Sequence, residues 1–550
     1  MGEGPLAEPT KKRPTWKLKP PHDALTQGIV ASGFVHLPAA KALFLFSHEP
    51  VAPGNDGSGG GKVTWLRTLS DIAPVSDADG KDERATAIAF TWTGLKALGL
   101  SPDVLATFSA PFREGMYQED RLRRLGDNVD DKWQKTVLAG GPRWSGNTPA
   151  RKFPRLNLEE LGFVAAGAPD ERDERQAMTP VTVHALLLLY DKDEASLDQW
   201  TSAVEQALAA RGVSVVHRLS LDLRLDEQGI GREHFGFADG LSQPIPFNED
   251  ARDGVDDCLV LSDGTPAARD PWHGVPLGEF LLGHTNGHHE KAPGPMVPDD
   301  HSGKAAADLT RDGAPDGFYN FGLNGSYLVV RELRQDVTAF WKSMTEGAAT
   351  IRAHDPSATY ATADWLSERI IGRNIDGHLL CPSGLLARDE YKQPQNAFGF
   401  IRTDLHGHAC PPGSHVRRAN PRDGLARDEA SAQTLLDAAN NHRILRRGRK
   451  YGTTVARDAP PDGAERGLLF MCLNTDIARQ FEFVQQAWLL NTHFATLFGE
   501  TDPLVGPKGN FTIREQPLRR IVAVETFVQL AGGEYFFLPS IPALKYLAAL

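Results

Sequence analysis

The most constraining feature of this sequence is a buried apolar strand followed by an amphipathic helix, which recurs in both halves of the chain. In the first half, the apolar run 183–190 precedes a segment, 197–208, in which apolar residues recur at helical spacing. In the second half, the apolar run 468–473 precedes a similar stripe over 477–488. Strand–helix units in both halves predict an α+β fold built from two copies of one module.

The size and charge of the chain limit its class. Its 550 residues suffice for two or three domains, and its formal net charge of −12 disfavours nucleic acid and anionic membranes as partners. It has no apolar run near the roughly 20 residues that span a bilayer. Its four cysteines are scattered without a Cys-x-x-Cys pair, and residues 1–9 lack a secretory signal pattern. We therefore expect a cytoplasmic protein that binds neither nucleic acid nor membrane.

A glycine-containing segment holds the first candidate functional residue. It reads Gly236-Phe237-Ala238-Asp239-Gly240. Glycine and aspartate favour turns, so the segment by itself is typical of an ordinary turn. A carboxylate can also take a proton from a substrate and return it in a later step. Asp239 is therefore a candidate general base and acid.

Two later segments contain a candidate metal ligand and several cations. The segment 410–422 contains His415 and ends in Asn-Pro-Arg at Arg422, and an imidazole can bind iron. The segment 444–452 contains a cluster of arginines that includes Arg446, and a guanidinium stays charged at every useful pH. A loop histidine is usually no ligand and an arginine cluster is usually a solvated face, so neither segment decides the function alone.

Together, the three segments resemble the signature of the dye-decolourising (DyP-type) peroxidases. That signature is a Gly-x-x-Asp-Gly turn, then a haem-ligating His in a Cys-Pro-x-Gly-x-His segment, then an Arg shortly before an aromatic-Gly pair. In this chain the middle part of the signature reads Cys410-Pro411-Pro412-Gly413-Ser414-His415. The resemblance runs from Thr26 to Pro539 and covers most of the chain, in the long form of the larger bacterial members.

The resemblance implies an α+β fold of two ferredoxin-like halves, whose antiparallel sheets pack together with peripheral helices around them. We expect a loose N-terminal arm (1–22), an N-terminal ferredoxin-like domain (23–250), an insertion or linker (251–317) and a C-terminal ferredoxin-like domain (318–550). The haem is expected in the C-terminal half.

The same resemblance implies haem b as the cofactor and assigns roles around it. His415 is the expected iron ligand, Asp239 the acid–base catalyst and Arg446 the distal cation. Arg446 is preferred because it precedes Gly452 by six positions, which matches the spacing in the family, and Arg447 is the reserve. If Asp239 acts first as a base and then as an acid, activity should be higher at mildly acidic than at alkaline pH.

Further residues are expected to contact the haem or its ligand. Those expected at the haem are Arg417, Arg422, Leu468 and Phe470. The arginines suit a propionate, because the planar guanidinium fork matches a carboxylate. Leu468 and Phe470 alternate on a strand and so lie on one face, where they could equally be ordinary core residues. A carboxylate normally holds the second ring nitrogen of a metal-binding histidine. Asp476 is predicted for that role, and Glu482 and Asp502 are left open.

These expectations predict a peroxidase that reduces hydrogen peroxide and oxidises bulky organic donors, such as dyes and phenolic compounds, through a ferryl intermediate. Donors too large to reach the haem would be oxidised at a surface Trp or Tyr, and no such residue is singled out. The oligomeric state is left open between monomer and homodimer.

Two alternatives compete with the peroxidase. The first is a haem-binding or haem-modifying protein on a related fold, without peroxidase turnover as its function. The second is a non-haem metalloenzyme, because histidine is a common metal ligand. The residues that could form such a metal site are Trp272-His273 with His284, His288 and His289, or His406 and His408 with Cys410.

Overall fold

The structure is a computed structural model that describes most of the chain. The described residues are 15–16, 18–48, 64–78, 83–130, 132–146, 180–226, 230–247, 255–260, 266–268, 274–299, 303–381, 398–516 and 518–550. Within these ranges, no helix has the length and apolar character needed to cross a membrane. The predicted division into domains at 250 and 317 stays a prediction.

The N-terminal half forms a four-stranded antiparallel sheet with two helices. In chain order the elements are β1 (Ala39–Ser47), α1 (Thr64–Ile72), β2 (Arg84–Phe90), β3 (Ala185–Asp191), α2 (Glu194–Ala209) and β4 (Val213–Asp222). β1 pairs with β3 and β4, and β2 pairs with β3, which gives the spatial order β2-β3-β1-β4. This β-α-β-β-α-β unit is ferredoxin-like. Every residue of β3 is buried, as the apolar run at 183–190 predicts.

The C-terminal half repeats this topology. Its elements are β5 (Ser326–Gln335), α3 (Val337–His354), β6 (Leu445–Arg446), β7 (Arg449–Tyr451), β8 (Gly467–Asn474), a π-helical segment (Ala478–Glu482 and Val484–Leu489) and β9 (Val528–Leu538). β5 lies between β9 and β8, and β6 and β7 pair with the other edge of β8. The predicted fold class of two ferredoxin-like halves is therefore confirmed, and the predicted helix at 477–488 has π-type hydrogen bonds.

The two sheets join edge to edge. Phe537 of β9 pairs with Phe90 of β2, and residues of β7 pair with residues of β4, including Tyr451 with Leu221. These two seams close the strands into one antiparallel barrel. The sheets were expected to pack together; hydrogen bonding at both seams goes further, because it pairs strand edges that would otherwise be open.

The barrel interior is a shared apolar core. Its residues from the N-terminal half include Ala42, Phe44, Ala87 and Leu188, and those from the C-terminal half include Leu328, Val330, Leu469 and Met471. Helices α1 and α2 pack on the outer face of the N-terminal sheet in a second apolar cluster. A third cluster forms around α3 and α4 (Ala363–Ile371). Part of the outer face of the C-terminal sheet, including Leu333 and Phe470, lines a cavity.

Shorter elements connect these parts. The remaining helices are His22–Leu25, Trp92–Ala97, Pro102–Ala106, Ala110–Glu114, Glu119–Arg124, α5 (His415–Ala419), Ala432–Asn440 and Ile541–Ala549, with 3-10 turns at Leu277–Glu279, Gly303–Asp308 and Glu429–Ser431. The remaining strands are Thr15–Trp16, Asn128–Val129, Lys132–Trp133, Trp144–Ser145, Val181–Thr182, Ile245–Phe247, Val255–Val260, Pro266–Ala268, Gly274–Pro276, Met296–Pro298, Phe318–Asn320, Gly509–Arg514 and Arg519–Val524.

Candidate functional site

A cavity of about 260 Å³ lies against the outer face of the C-terminal sheet. This volume is more than ten times the roughly 10–15 Å³ that one water molecule needs. Strand β8 contributes Leu468 and Phe470 to its wall, while the alternate residues Leu469 and Met471 belong to the barrel core. The pleat of one strand therefore serves the core on one face and the cavity on the other.

The cavity brings together residues from all three segments that the sequence singles out. Its wall includes Asp239, His415 and Arg446, together with Leu468 and Phe470. Further apolar wall residues are Leu333, Leu489, Leu504, Val505, Val528 and Leu530. The result is a largely apolar space whose wall also contains carboxylate, imidazole and guanidinium groups.

Asp239 lies in a turn whose shape depends on glycine. Gly236 and Gly240 have φ angles of +98° and +76°, which residues with a side chain rarely adopt. The Asp239 N–H donates to the Gly231 carbonyl at 2.9 Å, and the Asp239 carboxylate accepts from the Gly240 N–H at 2.6 Å. These bonds hold the carboxylate at the cavity wall.

Arg446 faces Asp239 from the end of strand β6. Its Nη1 lies 3.4 Å from Oδ1 of Asp239. The Gln243 side chain accepts from the Arg446 N–H at 3.1 Å and donates to the Arg446 carbonyl at 3.2 Å, which ties the strand to the segment after the turn. The side chains are 31% (Arg446) and 39% (Asp239) exposed, so the ion pair adds little stability and both groups can contact a molecule in the cavity.

Arg447, the reserve for Arg446, is buried against the N-terminal part of the chain. Its guanidinium donates to the carbonyl oxygens of Ile29, Val30 and Ala31. Burial lowers the pKa of Arg447 to about 10. These contacts give Arg447 a structural role and leave Arg446 as the cation beside Asp239.

His415, at the start of α5, is held by a buried carboxylate. Its Nδ1 lies 3.0 Å from Oδ2 of Asp502, which is completely buried. The other Asp502 oxygen accepts from the Leu504 and Val505 N–H groups at 2.9 and 3.0 Å. Burial raises the pKa of Asp502, but the adjacent His415 and the Val505 N–H outweigh burial, and the net pKa is lowered. With Nδ1 engaged, Nε2 is the ring nitrogen left to bind a metal.

The prediction of Asp476 as the carboxylate beside His415 is wrong. Asp476 accepts from the backbone at the first turn of the π-helical segment, which it caps. Glu482, one of the two alternatives, is in a buried ion pair with Arg121. Asp502, the other alternative, is the partner. It lies in a loop 87 residues after His415, and no local pattern marks it.

The structure places Arg417 and Arg422, the predicted propionate partners, outside the cavity wall. Arg417 is in a buried ion pair with Asp404, at 3.2 Å between Nη1 and Oδ2. Arg422 is 1% exposed and stacks on Phe398, 4.4 Å from the ring centroid. In the described part of the chain, the cavity wall contains the guanidiniums of Arg331, Arg373, Arg443 and Arg446. These four cations could meet a carboxylate in the cavity, and the role of Arg417 and Arg422 toward a propionate stays a prediction.

The histidine-rich alternatives do not assemble a metal site among the residues that the structure describes. His284 Nε2 is hydrogen-bonded to Asn324 at 2.7 Å, and the rings of His406 and His408 lie 5.9 Å apart. No group of three or more His, Cys, Asp or Glu side chains within these ranges could hold a metal ion. Trp272-His273 lies outside the described residues.

Sequence reasoning missed three polar groups in the cavity wall, the half-buried Glu233 and the buried Asp127 and Arg331. Burial raises the pKa of Glu233 to about 7, although the N–H groups of Phe235 and Phe237 donate to its carboxylate and act in the opposite direction. Asp127 and Arg331 form a buried ion pair at 2.5 Å. The signal for Glu233 was its place in the segment that carries the Gly-x-x-Asp-Gly turn. Asp127 comes from the N-terminal half and carries no such signal.

Comparisons with known proteins point to one group of relatives. No family model matches the chain. The chain is 29% identical over 383 residues to the multifunctional dye peroxidase DyP2 of Amycolatopsis sp., which covers 66% of this chain and 71% of that protein. It is 27% identical over 531 residues to the dye-decolorizing peroxidase of Mycena epipterygia, which covers 88% of this chain and 81% of that protein.

Solved structures share the fold. A DyP-type peroxidase from Anabaena sp. covers 96% of this chain and 94% of its own, with a TM-score of 0.63 and 22% identity. A decolorizing peroxidase from Auricularia auricula-judae covers 96% of this chain and 99% of its own, with a TM-score of 0.63 and 20% identity. The overlap extends over both ferredoxin-like halves.

The residues of the cavity fit a haem. A flat, apolar group with carboxylate substituents matches apolar walls such as Leu468 and Phe470, the guanidinium cluster, and the free Nε2 of His415. The barrel of two ferredoxin-like halves and this donor set define a haem-binding α+β protein. Along most of its length the chain is similar to dye-decolourising peroxidases, and this similarity supports its assignment to that family.

Proposed function

We propose that this protein is a haem b peroxidase that reduces hydrogen peroxide and oxidises bulky organic donors such as dyes and phenolic compounds. The observation that carries the proposal is one cavity with Asp239 beside Arg446 and a His415 anchored by Asp502. A haem carrier needs the iron ligand but has no use for an acid–base carboxylate beside a guanidinium. This difference favours the peroxidase over a haem-binding or haem-modifying protein.

In this proposal His415 binds the iron through Nε2. The Asp502 carboxylate accepts the hydrogen bond from Nδ1, which fixes the ring orientation and makes the imidazole a stronger electron donor. Bound haem supplies the iron that takes up peroxide and holds its oxidising equivalents. Its propionates would be neutralised by the guanidiniums of the wall, Arg331, Arg373 and Arg443.

Asp239 and Arg446 would divide the chemistry of peroxide cleavage. Asp239 would accept a proton from one oxygen of hydrogen peroxide and return it to the other oxygen, which leaves as water. Arg446 stabilises the negative charge that develops as the O–O bond breaks. Since the Asp239 carboxylate must be ionised to accept a proton and protonated to deliver one, the rate should be limited at both ends of the pH range.

The apolar wall would keep bulk water away from the reacting oxygen. Leu468 and Phe470 project from β8 into the same cavity as the Asp239 and Arg446 side chains. In a largely water-free site, the charge of the guanidinium acts more strongly on the substrate than in water. We also place the protein in the cytoplasm, because four scattered cysteines in 550 residues suit a reducing compartment.

The test is the reaction of the haem-loaded protein with one equivalent of hydrogen peroxide, followed by absorption in the Soret region. We expect a histidine-ligated ferric spectrum that changes rapidly. Asp239→Asn should lower the second-order rate constant by about 10²- to 10⁴-fold. Asp476→Asn, a carboxylate outside the cavity wall, is the matched control and should react like the unmodified protein.

Three outcomes would contradict the proposal. Tight haem binding without a spectral change would favour a carrier or haem-modifying role. An Asp239→Asn variant that reacts at the original rate would remove the acid–base role of that carboxylate. Failure to bind haem at all would show that the cavity serves another ligand.

A further inference from the structure

Glu233 accepts two hydrogen bonds from the backbone of the turn that carries Asp239. Its Oε2 accepts from the Phe235 N–H at 2.8 Å, and its Oε1 accepts from the Phe237 N–H at 2.9 Å. One carboxylate therefore holds the backbone on both sides of Gly236, the residue whose φ of +98° bends the chain. Two N–H groups of one turn that donate to the two oxygens of one carboxyl group fix that turn at two points.

Glu233 and the turn are also bound to the barrel and to helix α3. Gln335, the last residue of β5, donates from Nε2 to Oε2 of Glu233 at 3.0 Å. On the other side, the Phe235 ring packs on Phe340 of α3 with 4.5 Å between the ring centroids. The turn is therefore held by a polar contact to a strand and an apolar contact to a helix, with Glu233 as the polar link.

The position of Asp239 follows from the position of this turn. The two residues that follow Phe237 are also held by backbone hydrogen bonds. The Ala238 N–H donates to the Ile375 carbonyl at 3.1 Å, and the Asp239 N–H donates to the Gly231 carbonyl at 2.9 Å. Glu233 and Asp239 line the same cavity and also a neighbouring pocket of about 100 Å³. A misplacement of a reacting group by about 1 Å can cost about 10²-fold in rate.

We propose that Glu233 is a positioning residue, whose carboxylate sets the place of Asp239 opposite Arg446 by binding the Phe235 and Phe237 N–H groups. The inference rests on the proposed peroxidase function and deepens it. Glu233 acts through the backbone of the turn and does not itself need to touch peroxide.

The first test is Glu233→Gln. The amide nitrogen of glutamine cannot accept a hydrogen bond, so one of the two N–H groups loses its partner while the size of the side chain is kept. Reaction of the haem-loaded enzyme with peroxide should slow by about 10- to 100-fold, while haem occupancy and the later oxidation of the donor stay unchanged. Glu332→Gln is the matched control, because Glu332 is 1% exposed and binds Trp144 in the barrel interior.

The second test separates positioning from a general structural role. In an Asp239→Asn background there is no carboxylate to position, so Glu233→Gln should have no further effect on the peroxide reaction. Binding of hydrogen cyanide to the ferric haem, read from the Soret band, supplies a measurement that is independent of turnover, because the bound acid must give its proton to a distal base. Glu233→Gln should weaken cyanide binding when Asp239 is present and leave it unchanged when Asp239 is absent.

The outcomes distinguish this inference from the proposed function. Equal slowing by Glu233→Gln with and without Asp239, or no slowing at all, would overturn the positioning role alone. No effect of Asp239→Asn by itself would overturn the proposed function and this inference with it. If Glu233→Gln does not load haem, Gln335→Ala is the second variant, because it removes the hydrogen bond from Gln335 to the Glu233 carboxylate. This variant should slow the peroxide reaction less, and the slowing should again depend on Asp239.

Discussion

At the scale of single residues, the site is decided by which atoms are already engaged. His415 Nδ1 is engaged by Asp502, so Nε2 is the ring nitrogen that can bind a metal. The Arg447 guanidinium donates hydrogen bonds to backbone carbonyls, whereas the Arg446 side chain contacts Asp239 and remains partly exposed. Adjacent arginines of one cluster therefore have different roles, one structural and one available to a substrate.

Replacing Asp502 should affect the iron ligand. Asp502→Asn removes the negative charge that faces Nδ1 of His415, so the ring becomes a weaker donor and its orientation is held less firmly. We expect haem affinity to fall by about 10- to 100-fold and the reduction potential of the iron to rise, measured by haem titration and spectroelectrochemistry. Asp476→Asn is the control and should leave both unchanged. An unaltered potential in Asp502→Asn would count against the role of the carboxylate.

The stability of the protein should depend on the ionisation of Glu233. Burial raises its pKa from the ordinary 4.5 to about 7, so the unfolded chain loses this proton at a lower pH than the folded protein. The stabilising contribution of protonated Glu233 to the free energy of unfolding is fully present below about pH 4.5 and is lost as the pH rises through about 7. At about 1.4 kcal/mol per pKa unit, the loss amounts to roughly 3 kcal/mol.

Urea denaturation at several pH values can measure this loss. The free energy of unfolding should fall over that range in the unmodified protein, and the Glu233→Gln variant should lack this part of the decrease. Parallel pH profiles for the two proteins would show that Glu233 keeps an ordinary pKa.

At the scale of elements, short segments carry the functional groups while long ones hold them in place. The Asp239 turn, strand β6 and helix α5 each deliver one charged or metal-binding side chain, and each is five residues long or less in its regular part. β5 and β8 supply the wall behind them. The π-helical segment supplies Phe481, Val484 and Leu489 to the cavity, as π-type turns often do at functional sites.

The turn itself should be sensitive to substitution at one glycine and tolerant at another. Gly236→Ala should cost about 1–2 kcal/mol, because its φ of +98° is unfavourable for any residue with a Cβ, although the nearest atom would be 3.6 Å away. Gly231→Ala, whose nearest atom is also at 3.6 Å and whose φ is ordinary, is the matched control. Thermal unfolding of the two variants measures the difference, and equal stability would contradict the strain argument.

At the scale of the whole molecule, two modules share one core. Each half has the same strand order, and the seams between β9 and β2 and between β7 and β4 close the barrel. Because the interior contains side chains from both halves, neither half can lose its sheet without exposing apolar residues of the other. We therefore expect the two halves to unfold together.

A substitution in the N-terminal half should reveal this coupling. Leu188 is 2% exposed and shares the barrel core with Leu469 of the other half. Leu188→Ala should cost about 2–5 kcal/mol and should shift haem release and the loss of far-UV circular dichroism by the same amount. Leu225→Ala, at a side chain 46% exposed, is the control. Two separate transitions in Leu188→Ala would mean that the halves unfold independently.

The sequence by itself determined the elements and the chemical groups. Apolar runs predicted β3 and β8, and helical spacing predicted α2 and the helix after β8. The resemblance of three short segments to the signature of the DyP-type peroxidases predicted that Asp239, His415 and Arg446 belong to one site. These features are readable because they depend on neighbours along the chain: a strand repeats every two residues, a helix about every 3.6 residues, and a turn requires particular residues at adjacent positions.

Only the tertiary structure decided the partners of those groups. In the folded chain His415 contacts Asp502 rather than Asp476. Arg417 and Arg422 are engaged by other residues and are not part of the cavity wall, and the two sheets close into a barrel. Each of these depends on the path of the chain over tens or hundreds of residues, where no local periodicity operates. A buried charge takes the partner that the packed core brings within reach, and that partner can be known only once the core is formed.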